Sequence, residues 1–331
     1  MPNPRGLRAV ASSEASALQP LHRALSPILG ITLKLAATLT FTVMSALVKT
    51  LSAKYPVGQI VFFRSFFALI PLIIWLSWRS EFPSALKTTN FKGHLRRSCF
   101  GAMSMSMGFA SLSFIPLPDA VALGYASPLL LVVLAALILK ERVRVYRWTA
   151  VAVGFCGVLL MLSPYLGGQA VAGAGNGAPV IGALLALGGA LCSSFSAIEI
   201  RQLTATERTG AIVFYFTMMT SLLGLLSIAL GWTMPTGPEA LLLISTGILG
   251  GLGQIFIVQA YRYGDASLIA PFDYTSMIWA MAIGWFFFDD WPVPTVLAGA
   301  VVVIASGIYV ILRERQLGLL RRETREAATP R

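Results

Sequence analysis

Residues 122–139 read ALGYASPLLLVVLAALIL, eighteen consecutive residues without a charged side chain. A segment of this kind is typical of a helix that crosses the hydrocarbon core of a bilayer, which takes about 20 residues. The basic run KERVRVYRW at 140–148 follows directly and marks where such a helix would leave the membrane. The stretch therefore predicts a membrane protein, and the number of similar segments decides its fold.

The composition of the whole chain agrees with this reading. Of the 331 residues 56% are hydrophobic and 12% are charged, whereas about one-quarter of a soluble domain is charged. The net charge of +11 could suggest nucleic acid as a partner, but the cations lie in short clusters between apolar runs. Basic clusters of that kind orient a membrane protein, so we expect no nucleic-acid partner.

Ten apolar segments are long enough to span a membrane. If the N-terminus is cytoplasmic and the segments alternate, 21 of the 25 lysines and arginines fall on the inner side. A missed or false helix would reverse every later loop and destroy that asymmetry, so both termini are predicted to be cytoplasmic. The approximate limits of the segments are 28–49, 57–78, 95–114, 118–139, 146–164, 179–200, 210–231, 238–261, 266–288 and 293–312.

The two halves of the chain resemble each other. GQIVFFRS at 58–65 aligns with GAIVFYFT at 210–217, and YASPLL at 125–130 aligns with YTSMIW at 274–279. Because each half holds five segments, the second copy must enter the membrane upside down, as in many secondary transporters. The predicted fold is an all-α membrane protein of ten transmembrane helices in two inverted five-helix repeats. Its parts are a cytoplasmic tail (1–27), a first repeat (28–164), a Gly/Ala-rich periplasmic linker (165–178), a second repeat (179–313) and a basic cytoplasmic tail (314–331).

A family resemblance rests on Arg64 in the second segment, the run at 122–143, Trp148, and GFCG at 154–157. Over about residues 28–312 the chain is similar to ten-helix EamA-type proteins of the drug/metabolite transporter superfamily. The resemblance implies a multi-pass protein of the bacterial inner membrane that takes up or exports amino acids, vitamins or related metabolites.

Ionisable residues inside a span each cost roughly 2.5–3.5 kcal/mol and mark candidate functional positions. The clear ones are Lys34, Arg64, Glu199 and Asp273. Asp273 and Lys34 are each six or seven residues into segments that start inside, on the order of 10 Å from the cytoplasmic edge. Asp273 is interpreted as a proton site or a solute contact, or else as a static partner of Lys34 or of a hydroxyl on a neighbouring helix. Lys34 either points to a cavity or extends to the inner headgroups. Arg64 either faces a cavity or bridges two helices. Glu199 is interpreted as an interfacial residue at a helix end.

Aromatic residues surround these charges. Phe272, Tyr274 and Trp279 lie beside Asp273, and the repeat alignment places Tyr125 at the position equivalent to Tyr274. Aromatic walls with a few polar groups suit a planar organic solute, although ordinary helix packing would also explain them. Pro271 is expected to loosen the helix just before Asp273.

These features favour a secondary transporter of a small organic solute. The sequence contains no P-loop, which leaves a proton gradient or exchange to drive transport. A planar vitamin such as riboflavin, taken up, is the favoured solute class, and export of an amino acid or related metabolite is the alternative. A passive channel and an intramembrane enzyme carry less weight, since HExxH and GxSxG motifs are missing. The three cysteines and two histidines lack metal-ligand spacing, so no metal or cofactor is expected. The lipid bilayer is a partner, and a homodimer is kept as an alternative to a monomer.

Overall fold

The computed structural model describes the backbone of residues 4–80, 82–83, 86–140, 143–166, 177–204, 206–263 and 266–327. Within those ranges side chains are described from residue 28 to residue 317, apart from 262, 266 and 267. All regular elements in this part of the chain are helical. The α-helices are α1 (Pro4–Ser52), α2 (Val57–Trp78), α3 (Phe91–Ser111), α4 (Leu117–Gly124), α5 (Ala126–Ile138), α6 (Val145–Leu166), α7 (Ala178–Leu203), α8 (Thr209–Leu226), α9 (Gly237–Tyr263), α10 (Ala266–Ile269), α11 (Thr275–Phe288) and α12 (Pro294–Ala327).

Eight helical segments within the described ranges are long and apolar enough to cross a membrane. The prediction of an all-helical, multi-pass membrane protein is therefore confirmed. The eight segments are Ile28–Ser52, Val57–Trp78, Leu117–Ile138, Val145–Leu166, Ala178–Leu203, Thr209–Leu230, Gly237–Tyr261 and Pro294–Leu317.

Two of the ten predicted spans, 95–114 and 266–288, are not among these eight segments. Helix α3 carries Lys92, Arg96 and Arg97 in its first two turns, and these cations lower its hydropathy. The ninth segment is divided into α10, a 3-10 helix (Ala270–Tyr274) and α11, which has 14 residues. Both segments are helical, but neither is a continuous apolar helix.

The tails and the linker also bear on the predicted boundaries. Helix α1 begins at Pro4 and α12 runs to Ala327, so both helices extend well beyond the predicted spans. Most of the predicted linker, residues 167–176, lies outside the described residues.

Two helices of the bundle are broken at a tyrosine. Helix α4 gives way to α5 at Tyr125 (φ −68°, ψ −6°), and α11 begins directly after Tyr274 (φ −69°, ψ −12°). Pro128 is the third residue of α5, where a missing N–H removes no intrahelical bond. Pro271 lies in the 3-10 helix that precedes α11, so the predicted loosening before Asp273 is confirmed.

The helices pack in pairs. Helix α1 packs along α9, α3 along α7 and α6 along α12, while α2 contacts both α8 and α9. Helices α5 and α11 pack on α7 and α1 respectively. Glycines allow the closest contacts: a Cβ atom at Gly247 would lie 2.7 Å from the carbonyl oxygen of Phe63, and one at Gly251 would lie 2.8 Å from that of Ala68. Small residues at such crossings let helix backbones approach in membranes.

Candidate functional site

The break in the ninth segment presents a charged pair. Asp273 lies in the 3-10 helix between α10 and α11, and its Oδ1 is 2.6 Å from the Nζ of Lys34 on α1. The Lys34 side chain is 2% exposed, whereas the Asp273 side chain is 47% exposed. The Lys34 ammonium also lies 3.4 Å from the hydroxyl of Tyr261 and 5.0 Å from the centre of its ring.

The unequal burial of this pair has a chemical consequence. A buried ammonium needs a counter-ion, because an unpaired charge in a low-dielectric interior is strongly unfavourable. Lys34 takes that counter-ion from Asp273, whose carboxylate stays partly exposed. Of the readings considered for Asp273, the structure shows the ion pair with Lys34.

Hydroxyl groups surround the break. The Tyr125 hydroxyl is 2.7 Å from Ser276 Oγ and donates to the carbonyl oxygen of Tyr274 at 3.3 Å. The two tyrosine rings meet edge to face with centroids 5.2 Å apart. On the other side Thr38 and Thr275 bring their hydroxyls to 3.1 Å. The two broken segments are therefore joined to each other and to α1 by polar contacts.

A separate cavity of about 260 Å³ lies between α1, α3, α4, α5 and α7. Gly124, which the repeat alignment pairs with Asp273, lines this cavity. Serines from four helices supply its polar groups: Ser45, Ser104, Ser111, Ser127 and Ser193.

Two arginines are buried near the middle of α2 and near the start of α3. Arg64 is 4% exposed and Arg97 is 7% exposed. The guanidinium carbon of Arg97 lies 3.6 Å from the centre of the Phe216 ring on α8. A Cβ atom at Gly250 on α9 would lie 3.0 Å from the Nε of Arg64, so this side chain rests against the α9 backbone. Arg64 therefore sits between α2 and α9, as expected for an inward-facing residue.

The end of the bundle that holds the loop between α1 and α2, here called the loop end, is closed by ion pairs. Lys49 lies 2.5 Å from the carboxylate of Asp290 and donates to the carbonyl oxygen of Ile115 at 3.2 Å. Lys54 pairs with Glu239 at 2.7 Å. These contacts tie the end of α1 to the starts of α4 and α9 and to the segment after α11.

The opposite end, from which the two tails extend, is here called the tail end. A cavity of about 770 Å³ opens there between α2, the α7–α8 connection and α9. Tyr261, which contacts Lys34, lines this cavity together with Trp75 and Glu207. Burial alone would raise the pKa of the Glu207 carboxyl, but hydrogen bonds from Thr89, Thr88 and Asn90 lower that pKa below its ordinary value. Glu207 is therefore ionised at the rim of the cavity.

A family model identifies the chain. The model of the EamA-like transporter family matches residues 28–163 and again residues 180–313. This chain belongs to the EamA-like transporter family. The predicted superfamily is thereby confirmed, and the function class of this EamA-like chain is transport of a small molecule across a membrane.

Curated relatives of this EamA-like protein are named as transporters of different solutes. The pseudopaline exporter of Pseudomonas aeruginosa (strain UCBPP-PA14) is 32% identical over 84% of this chain and 94% of its own length. The riboflavin transporter of Rhizobium johnstonii is 29% identical over 88% of this chain and 92% of its own length. The S-adenosylmethionine uptake transporter of Rickettsia prowazekii is 25% identical over 87% of this chain and 94% of its own length.

The relatives agree with the predicted compartment, because the bacterial transporters and the apolar helices together indicate a multi-pass protein of the inner membrane. A solved crystal structure aligns with a TM-score of 0.60 over 88% of this chain and 97% of its own length. That structure shares 19% sequence identity, so the likeness concerns the fold.

The remaining predicted residues are spread through the bundle. The carboxylate of Glu199 on α7 lies 3.1 Å from the guanidinium of Arg96 on α3, so this ion pair joins two neighbouring helices. Phe272 accepts a hydrogen bond from Thr275 at its carbonyl oxygen within the break. Trp279 has a buried Nε1 that lacks a hydrogen-bond partner among the described residues. Of the eight predicted residues, the structure groups five around the break: Lys34, Phe272, Asp273, Tyr274 and Tyr125.

Two buried charged residues were not predicted. Arg97 lies inside the predicted span 95–114 but is not among the candidate residues, and the structure buries its side chain within α3. Asp119 on α4 is fully buried and accepts a short hydrogen bond from the Tyr165 hydroxyl. Both residues lie near the limit of a predicted span, where a charged side chain can be either exposed or buried. The sequence could not decide between the two. The glycine at i+4 from Arg97, Gly101, was the available signal, since it leaves room for the Phe216 ring on which Arg97 stacks.

Proposed function

We propose that this protein is a secondary transporter that moves a small organic metabolite across the bacterial inner membrane by alternating access. The observation that carries the proposal is the Lys34–Asp273 pair in a broken helix, open on one side and held beneath an end closed by ion pairs. Broken helices near the middle of a membrane are where many secondary transporters bind solute.

Ten spans in two inverted five-helix repeats belong to the same proposal, with α3 and the α10–α11 segment counted as spans. In the repeat, α1, α3 and α5 correspond to α7, α9 and α11. The contact of α1 with α9 then corresponds to that of α7 with α3, and the contact of α5 with α7 to that of α11 with α1. All four contacts are present. The tyrosine at each break and the two matches to the family model also support the repeats. The domain limits 28–164 and 179–313 follow from this reading.

The orientation follows from the distribution of positive charge. With both termini in the cytoplasm, the cation-rich tail end faces inward. Lys49 and Asp290 then close the external side, and the cavity beside Tyr261 opens to the cytoplasm. The arrangement corresponds to an inward-open state of a transporter.

For the solute, the contacts favour an amino acid or related metabolite over a planar vitamin. The aromatic residues that precede Arg64 on α2 pack away from the break: the ring centres of Phe62 and Phe63 lie 5.2 and 6.4 Å from that of Trp232. A solute that carries an amine and an acidic group would find both charge signs in Asp273 and the buried cations. Riboflavin stays the second candidate, since relatives bear that name and the Tyr125–Tyr274 rings offer an aromatic wall.

Protons are the proposed coupling ion, and Asp273 is the proposed proton site. Protonation of the exposed carboxylate would release Lys34 and change the contact between α1 and α11. In proteoliposomes, Asp273→Asn is expected to abolish uphill transport driven by a pH gradient while exchange of labelled solute continues. Unchanged uphill transport by this variant would refute the assignment.

The solute class is tested by thermal unfolding of the purified protein with amino acids, riboflavin and nucleosides as separate panels. A ligand of the native state raises the unfolding temperature. Stabilisation by one or more amino acids is the expected result. Stabilisation by riboflavin alone would reverse the order of the two candidates.

A further inference from the structure

The Arg64 and Arg97 side chains are two buried cations with unused hydrogen-bond donors. The Nε of Arg64 and both the Nε and Nη1 of Arg97 are buried without a hydrogen-bond partner among the described residues. Neither guanidinium forms an ion pair with a carboxylate in the described part of the chain. Helices α2 and α3, which carry the two arginines, contact each other and both contact α8.

The acidic groups on neighbouring elements are engaged elsewhere. Glu199 lies three residues after Ser196 of α7, whose hydroxyl donates to the carbonyl oxygen of Arg97, but it pairs with Arg96 at 3.1 Å. The Oε1 of Glu207 accepts from Asn90 at 2.9 Å. Asp273 pairs with Lys34. No carboxylate from these elements is left to neutralise the two arginines.

The arginine side chains are held in place by apolar and backbone contacts. Arg97 stacks on the face of Phe216 at 3.6 Å, and a guanidinium on an aromatic face keeps its in-plane N–H groups free to donate. Arg64 rests on α9 at Gly250, beside the sulfur of Met44. A planar fork that is fixed in this way is suited to bidentate contact with a carboxylate or phosphate.

The serine-lined cavity is bounded by α3, which carries Arg97, and by α1, whose Met44 shares the Gly250 contact with Arg64. Ser104, which lines that cavity, follows Arg97 by seven residues and lies on the same face of α3, about 10 Å further along the helix. Ser45 on α1 lines it as well and follows Met44, which shares the Gly250 contact with Arg64. An acidic group bound to the arginines would place the rest of a small solute toward hydroxyl groups.

We propose that Arg64 and Arg97 together form a binding site for an oxyanion, a carboxylate or a phosphate group, carried by the transported solute. The identification of the solute as its source rests on the proposed transport function. An anion here would neutralise two like charges that otherwise repel each other in a low-dielectric interior.

The test measures thermal unfolding of the full-length protein in detergent at constant ionic strength. Sodium acetate and sodium phosphate are the anionic probes, and sodium chloride and acetamide are the controls. The source of the group is tested with a mixture of amino acids against the same mixture as carboxamides. The variants are Arg64→Gln and Arg97→Gln, with Arg96→Gln as the matched control, because Arg96 is adjacent on α3 but 58% exposed.

We expect acetate and phosphate to raise the unfolding temperature to a plateau in the wild-type protein and in Arg96→Gln. Loss of a charge-assisted contact should weaken the apparent affinity about 10- to 100-fold in Arg64→Gln and in Arg97→Gln. Without anion, both variants should unfold at or above the wild-type temperature, because each removes an unpaired buried charge. A purely structural bridge would instead make them less stable.

Three results would overturn the proposal. The first is that acetate and phosphate raise the unfolding temperature no more than chloride does. The second is that they stabilise Arg97→Gln as much as they stabilise Arg96→Gln. Equal stabilisation by the acid and carboxamide mixtures would contradict the solute as the source and leave a site for a free anion. The wild-type protein could also bind anions, lose that binding in both arginine variants and yet show no solute flux in liposomes. That result would contradict the transport function and leave the anion site standing.

Discussion

The Lys34–Asp273 pair predicts that its two halves contribute unequally to stability. Asp273→Asn leaves the ammonium of Lys34, 2% exposed, without a counter-ion. Breaking a buried pair in this way costs about 3–5 kcal/mol, and the half-exposed carboxylate argues for about 3 kcal/mol. Lys34→Met leaves a carboxylate that is 47% exposed and can be hydrated, while methionine keeps the apolar stem. That variant should cost about 1 kcal/mol or less.

The measurement is thermal unfolding of the single variants and of the double variant in the same detergent. At roughly 2–3 °C per kcal/mol for a long chain, Asp273→Asn should lower the midpoint by roughly 6–9 °C. Adding Lys34→Met to it should restore most of that loss, because the unpaired cation is gone. Lys54→Met serves as the control, since it breaks a pair in which the lysine is 49% exposed. A larger loss in Lys34→Met than in Asp273→Asn, or a double variant as unstable as Asp273→Asn, would refute the reasoning.

Three further outcomes follow from the packing and the two ends of the bundle. Gly299→Ala should lower stability by about 1–3 kcal/mol, because its Cβ would lie 2.5 Å from the carbonyl oxygen of Gly157; Gly124→Ala, with nothing within 4 Å, is the control for unfolding. Lys49→Gln should open the loop end and speed the labelling of cysteines introduced beneath it by an impermeant thiol reagent, and unchanged labelling would contradict a closure by Lys49. The folded-state pKa of Glu207 is lowered from 4.5, so its contribution is present above pH 4.5 and is lost only as pH falls below that value. Glu207→Gln should therefore destabilise the protein at pH 7 and remove the Glu207 part of the acid-induced loss, and an identical acid profile in the variant would contradict this assignment.

Much of the architecture could be predicted because spans depend on local properties of the chain. Length and polarity suffice for a segment such as 118–139, and proline chemistry predicts a break at Pro271. The depth estimate placed Lys34 and Asp273 at one level, and a single ion pair joins them. These features need only the rise of a helix and the cost of a charge in lipid.

The unpredicted features depend on contacts between distant helices. Arg97 resembles any cation next to a span, and its burial appears only when α8 brings Phe216 over its guanidinium. Asp119 gains its partner from Tyr165, 46 residues away. Glu199 is paired by Arg96 from another helix. No periodicity along one segment carries such information, because the partners are chosen by packing.

The central claim, transport of an amino-acid-like solute by alternating access, is tested most directly by counterflow in proteoliposomes. Vesicles loaded with an excess of unlabelled amino acids should accumulate external labelled amino acid transiently, with a rate that saturates as its concentration rises. The wild-type protein should show this overshoot, and empty liposomes should not. A flux that rises linearly with concentration and shows no overshoot would contradict alternating access and indicate a channel.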